Sequence, residues 1–250
     1  MTYPTYSVLR MTSIIVAVAT SCSAAFAECS ITIPTATSTA SYGTLQLPVD
    51  ANGDGKPDTV SGSQLPSYSS QFFERQTAAR VVMRVPSSGL ATTPNSKYPR
   101  SELKENRTWN VNDGCAAQAA RVNIYDLPAS GDIVIGQIHQ EATTPRPPVE
   151  LHYTNGTIHA DVLQKNTTES GSPRTRLTIK TGIPTHQFFS YSITLEKGGL
   201  LRVTVNDKSQ TTYLDSSFDN SKLYFKAGNY TQDTNGGSSV GFEGLSIKHN

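Results

Sequence analysis

The chain has 250 residues, with 21 Lys and Arg against 20 Asp and Glu, 16% charged and 36% hydrophobic residues. A net charge of +1 supplies no global basic field for nucleic acid, so any polyanion must be met by a local patch. No apolar period of 3.6 residues lasts beyond two turns, which excludes a mainly helical protein.

Residues 1–27 read as a secretory signal peptide. Arg10 closes a weakly basic start, Met11 to Ala19 is apolar, and Ala25-Phe26-Ala27 supplies a small-x-small cleavage pattern. The run is too short and too interrupted by Ser and Thr to span a membrane. The expectation is a secreted, extracellular protein without a membrane anchor, its mature domain covering residues 28–250. Without the leader, which holds one cation, 20 basic residues face 20 acidic ones. Cys22 leaves with it, so Cys29 and Cys115 are expected to form a disulfide in an oxidising compartment. Neither cysteine has an evident His–Asp partner, and no chemistry is assigned to them.

Further along, Asp50 to Asp58 places oxygen ligands at alternate positions with a glycine at the sixth, like the start of a calcium loop. The twelfth position is Ser61 instead of Glu, and Pro57 blocks a following helix. A solvated turn between two strands is the preferred reading. From Phe72 the pattern is β throughout. Strands are expected over Ala79–Val85, Arg100–Val111, Ala119–Leu127, Ile133–Gln140, Val149–Tyr153 and Thr157–Leu163. More follow over Arg174–Lys180, Phe188–Glu196, Leu200–Asn206, Gln210–Leu214, Leu223–Gln232 and Val240–Lys248. Many strands at short spacing, with no linker or repeat, predict one all-β sandwich or barrel.

Three of these strands carry polar rows. Side chains alternate along a strand, so Tyr224, Lys226, Tyr230 and Gln232 share one face, with Gly228 leaving room for a ligand near the backbone. Arg100, Glu102 and Lys104 share a face, while Leu103, Trp109 and Val111 point to the core. Gln137 and His139 flank a core-facing Ile138. Each row alone is compatible with a half-buried strand, cross-strand ion pairs or a structural histidine. Together they are what eliminative cleavage of a polyuronate requires. The weakly acidic C5 proton can be removed only when donors neutralise the neighbouring carboxylate. A base must take that proton and an acid must protonate the departing O4.

Tyr98-Pro-Arg-Ser-Glu-Leu-Lys-Glu105, Gln137-Ile-His139 and Tyr224-Phe-Lys-Ala-Gly-Asn-Tyr-Thr-Gln232 resemble the three signature segments of alginate lyases of polysaccharide lyase family seven. The resemblance implies a β-jelly roll with a concave substrate-binding sheet. It implies that Arg100 and Gln137 neutralise the uronate carboxylate with His139 beside them. Tyr230 would be the general acid, and on one epimer also the base. Glu102, Lys104, Tyr224, Lys226 and Gln232 would line subsites. Lys104 departs from the family's more frequent Arg, keeping the charge but losing the fork. Such lyases need no metal or cofactor for the elimination. The partner is alginate and no nucleic acid, with a monomer as the expected working form. Two other readings compete: a lyase for another polyuronate such as glucuronan, and a non-catalytic jelly-roll carbohydrate-binding module. A binder would rely on aromatic platforms, and this chain has one Trp.

Overall fold

The computed structural model describes residues 1, 29–142, 146–169 and 171–250. The leader expected over residues 1–27 lies, apart from Met1, outside the described residues, as does part of the proline-rich loop after Gln140.

Among the described residues fifteen strands form two antiparallel sheets, the sandwich of a β-jelly roll. They are β1 (Tyr42–Gln46), β2 (Thr59–Ser61), β3 (Phe73–Arg75), β4 (Arg80–Val85), β5 (Arg100–Glu105), β6 (Ala116–Asp126), β7 (Asp132–Gln140) and β8 (Val149–Thr154). The remainder are β9 (Thr157–Leu163), β10 (Arg174–Lys180), β11 (Phe189–Leu195), β12 (Leu200–Val205), β13 (Lys208–Tyr213), β14 (Leu223–Thr231) and β15 (Ser238–His249). The eight-stranded sheet runs β10-β9-β8-β7-β14-β5-β1-β2, and the seven-stranded sheet β13-β12-β11-β6-β15-β4-β3. Among the described residues no helix is long and apolar enough to cross a membrane.

Alternation explains the layers. Leu103, Ile138, Phe225 and Ala227 from the larger sheet meet Val122, Ile193, Val203 and Phe242 from the smaller one in a single buried cluster. Asn229 is also buried on this inner face, although its own side chain is polar. Its amide donates to the carbonyls of Met83 and Ser238 and accepts from the Ser238 hydroxyl, joining the two sheets.

Three short strands, β1 to β3, have no bounds assigned from the sequence because segments of three to five residues carry too little alternation. The strand expected to run to Val111 stops at Glu105. The buried Glu105 carboxylate takes over the hydrogen bonding there, accepting from Trp109 Nε1 at 3.0 Å and the Phe225 amide at 2.8 Å, with His249 Nε2 at 2.5 Å. Trp109 then rejoins the sheet by a bridge to Leu223. Leu103, Trp109 and Val111 are all core residues, although β5 ends before the last two.

Cys29 and Cys115 form a disulfide across 86 residues, with their Cα atoms 5.5 Å apart. Between β1 and β2, the Asp50 carboxylate accepts the amides of Gly53, Asp54 and Gly55 at 2.7–3.1 Å. The oxygens that resembled calcium ligands thus close the turn on its own backbone.

Candidate active site

β7, β14 and β5 lie side by side at the middle of the larger sheet. Their register sets the polar rows into a grid. Tyr224 stands opposite His139 and Lys226 opposite Gln137 on the β7 side. On the β5 side, Lys226 faces Lys104, Gly228 faces Glu102, and Tyr230 faces Arg100. Between Ala227 and Tyr230 the pairing to β7 slips, three steps on β14 matching two on β7. Such a bulge bends the strand and re-aims the side chains after it, here Tyr230.

Glu102 organises this grid from beneath. Its side chain is fully buried, accepts from Arg100 Nη1 at 3.2 Å, and receives close contacts from Lys226 Nζ and Gln137 Nε2. Burial alone would push its carboxyl up, but Lys226 and Arg100 outweigh that and hold it below the usual carboxylate range. The family resemblance assigned Glu102 to a subsite wall; the packing makes it the common partner of Arg100, Gln137 and Lys226. Burial in turn draws the Lys226 ammonium down to about 8.

Arg100 is held on three sides. Its Nη2 donates to Ser96 Oγ at 2.6 Å, its Nη1 to Glu102, and its guanidinium lies 3.6 Å from the centre of the Tyr230 ring. Ser96 Oγ is also 3.3 Å from Tyr230 Oη. One loop hydroxyl therefore ties the cation to the phenol. Ser96 lies in the Thr92–Pro99 loop, where no periodicity marks it in the sequence.

His139 stacks on Tyr224, ring centres 5.2 Å apart. Burial, with Lys226 nearby, lowers its pKa to about 3, so the ring is neutral. Its Nδ1 accepts the Gln140 amide at 2.9 Å, and Tyr224 Oη lies 3.1 Å away. That arrangement leaves the hydrogen on Nε2, where it can be donated. Action as a base requires the other tautomer, with Nδ1–H turned to Gln140 O at 3.1 Å or to Tyr224 Oη.

Two buried polar atoms of the grid have no partner, Arg100 Nε and Gln137 Oε1. Unmet donors and acceptors are costly when buried, and here they border a cleft of about 600 Å³. Arg100, Gln137, His139, Tyr230 and Gln232 line that cleft together. Lys104, Tyr224 and Lys226 flank it on the same sheet face, with Lys104 Nζ 4.4 Å from the Tyr224 ring centre. The walls add residues to which the sequence gave no role: Asn95 and Lys97, along with Arg146, Glu150 and Arg174. Arg174 bonds Glu150 at 3.0 Å and the Pro147 carbonyl at 3.1 Å, tying β10 to the edge of the cleft.

A jelly roll that gathers a guanidinium, an amide, an imidazole and a phenol at one cleft belongs to the class of polysaccharide lyases. Residues 41–249 match the family model described as alginate lyase, and the chain belongs to this family. A solved alginate lyase of Pseudomonas aeruginosa, PA1167, is 31% identical, with a TM-score of 0.75 over 86% of this chain and 100% of that one. The family 7 alginate lyase A1-II′, solved with a substrate (GGMG), is 30% identical, with a TM-score of 0.75 over 87% and 97%. A curated alginate lyase of Klebsiella pneumoniae is 40% identical over 63 residues, which span 24% of this chain and 20% of that protein.

Proposed function

We propose that this protein is a secreted, monomeric alginate lyase that cleaves the 1,4-glycosidic bonds by β-elimination. The observation that carries the reading is the meeting of Arg100, Gln137, His139 and Tyr230 at one cleft, with Arg100 Nε and Gln137 Oε1 buried and unpaired. A uronate carboxylate would receive the Arg100 N–H, the second hydrogen of the Gln137 amide and the Nε2–H of His139, while Gln137 Oε1 accepts a sugar hydroxyl. Neutralising the carboxylate makes the C5 proton removable. The C5–H pair then becomes the C4–C5 double bond as the C4–O4 bond breaks, and a proton is delivered to O4. The products are a new chain end and a 4,5-unsaturated uronate at the non-reducing end of the other fragment.

Tyr230 would both take the C5 proton and protonate O4 when the two lie on the same side of the ring, the syn case. For the opposite epimer a base across the ring is needed, and His139 in its second tautomer is the candidate. In the substrate complex of A1-II′, one His is replaced by Asn and one Tyr by Phe, the two side-chain types paired here. We further propose that guluronate-containing blocks are cleaved, with mannuronate blocks as a second substrate.

Incubation with alginate, purified block polymers and glucuronan, followed by the ultraviolet absorbance of the unsaturated product, tests this. Absorbance rising on polyguluronate or mixed blocks is the expected result. Cleavage of glucuronan alone replaces the substrate; binding without cleavage of any polymer replaces the enzyme by a carbohydrate-binding protein. His139→Ala should harm guluronate cleavage more than mannuronate cleavage, and equal loss on both rejects that division of roles.

A further inference from the structure

Beyond the cleft, the same sheet holds a second cluster. His152 on β8 pairs directly with His159 on β9, their rings stacked 4.8 Å apart and 10° from parallel. Asp161 lies two residues along β9, opposite the cleft residue Glu150. The two Nε2 atoms converge on its carboxylate, at 4.0 Å from His152 and 3.8 Å from His159. His159 is 97% buried by its 3% exposure, yet its Nε2 has no hydrogen-bond partner. His152 is oriented from behind, its Nδ1 2.9 Å from Asp132 Oδ1, which Thr154 Oγ1 also contacts at 2.9 Å.

An imidazole whose far nitrogen is held by a carboxylate is the usual support of a metal-ligating histidine, because it fixes the tautomer and turns Nε2 toward the ion. We propose that His152, His159 and Asp161 form a site for one divalent transition-metal ion, with Asp132 positioning His152. Two imidazoles and a carboxylate suit zinc better than calcium or magnesium, which prefer oxygen ligands. The three candidate ligand atoms lie within 4.8 Å of one another. Bonds of about 2.0–2.2 Å in a tetrahedron would draw them to about 3.4 Å, a movement of side chains and not of strands. Water completes the fourth position. Arg176 holds Asp161 by two bonds of 2.8 Å and competes with the ion, but its own side chain is largely exposed and can swing aside.

Zinc chloride titrated calorimetrically into chelator-treated full-length protein tests the site, together with the melting temperature with and without zinc. The wild type should bind one equivalent saturably and melt higher with zinc. His159→Gln and Asp161→Asn should each weaken binding at least ~10-fold. Arg176→Ala, which releases Asp161, should bind at least as tightly as the wild type. Should His159→Gln fail to fold, Asp161→Asn, at a partly exposed position, decides alone. Absence of a one-equivalent site in the wild type, wild-type affinity in Asp161→Asn, or weakened binding in Arg176→Ala overturns the proposal. None of these readouts depends on cleavage of a polysaccharide, so the result stands apart from the lyase reading.

Discussion

The reacting groups divide by what each can hand over. Tyr230 lines the cleft with its ring against the Arg100 guanidinium, so Tyr230→Phe should remove at least ~10²-fold in kcat while substrate binding and the melt stay close to wild type. Arg100→Lys should fail almost as badly, because a point charge cannot serve Glu102, Ser96 and the substrate at once. Arg100→Ala and Gln137→Ala should each lose roughly 10²-fold in kcat. A change confined to KM in these variants would make them binders only. Lys226 adds a pH dependence. Its ammonium, drawn down from 10.5 to about 8 by burial, discharges as pH passes 8, and the substrate carboxylates lose a nearby cation. KM should therefore rise above pH 8, and Lys226→Arg should abolish that limb. Unfolding does not explain the limb through this group. Between pH 8 and 10.5 the unfolded chain holds the proton that the folded protein has released, so this lysine makes stability rise with pH there.

At the scale of elements, Gly228 shows how β5 and β14 fit. The sequence reading gave it the task of admitting a ligand close to the backbone. The structure fills that space with protein instead: a Cβ on Gly228 would lie 2.6 Å from the Glu102 Cα and closer still to the Ser101 carbonyl. The glycine lets two strands approach at the point where Glu102 must sit beneath Arg100, Gln137 and Lys226. Gly228→Ala should spread the pair, cost about 1–3 kcal/mol in stability, and lower activity further than the melt alone accounts for. Chemical denaturation paired with kinetics measures both; a variant of unchanged stability and activity would remove the glycine from this role. Asn229, the next residue, carries a glycosylation sequon, and the alternation explains its fate. Its amide is spent on the opposite sheet, so a glycan there would need the sandwich to open.

For the whole molecule, the Cys29–Cys115 bridge ties the start of the described chain to the strand pair at its end, since Ala116 faces His249 and the Asn250 amide bonds the Cys115 carbonyl. Removing the bridge as Cys29→Ser with Cys115→Ser should cost about 2–5 kcal/mol. Neither cysteine lines the cleft, so kcat at low temperature should persist. A fall in kcat without a fall in melting temperature would contradict that separation.

What the amino-acid order determined by itself is whatever depends on neighbours along the chain. Strand alternation sorted Leu103, Ile138 and Phe225 inward and Arg100, Gln137, His139, Lys226 and Tyr230 outward, because successive side chains on a strand point to opposite faces. It also marked the turns and the pair of cysteines. Tertiary structure alone decided which rows became neighbours, since β5, β7 and β14 are far apart in sequence and meet only through the sheet order. It alone buried Glu102 as an anchor, ended β5 at Glu105, and brought Ser96 to both Arg100 and Tyr230. Those outcomes rest on pairing register and burial between distant segments, quantities that no local pattern encodes.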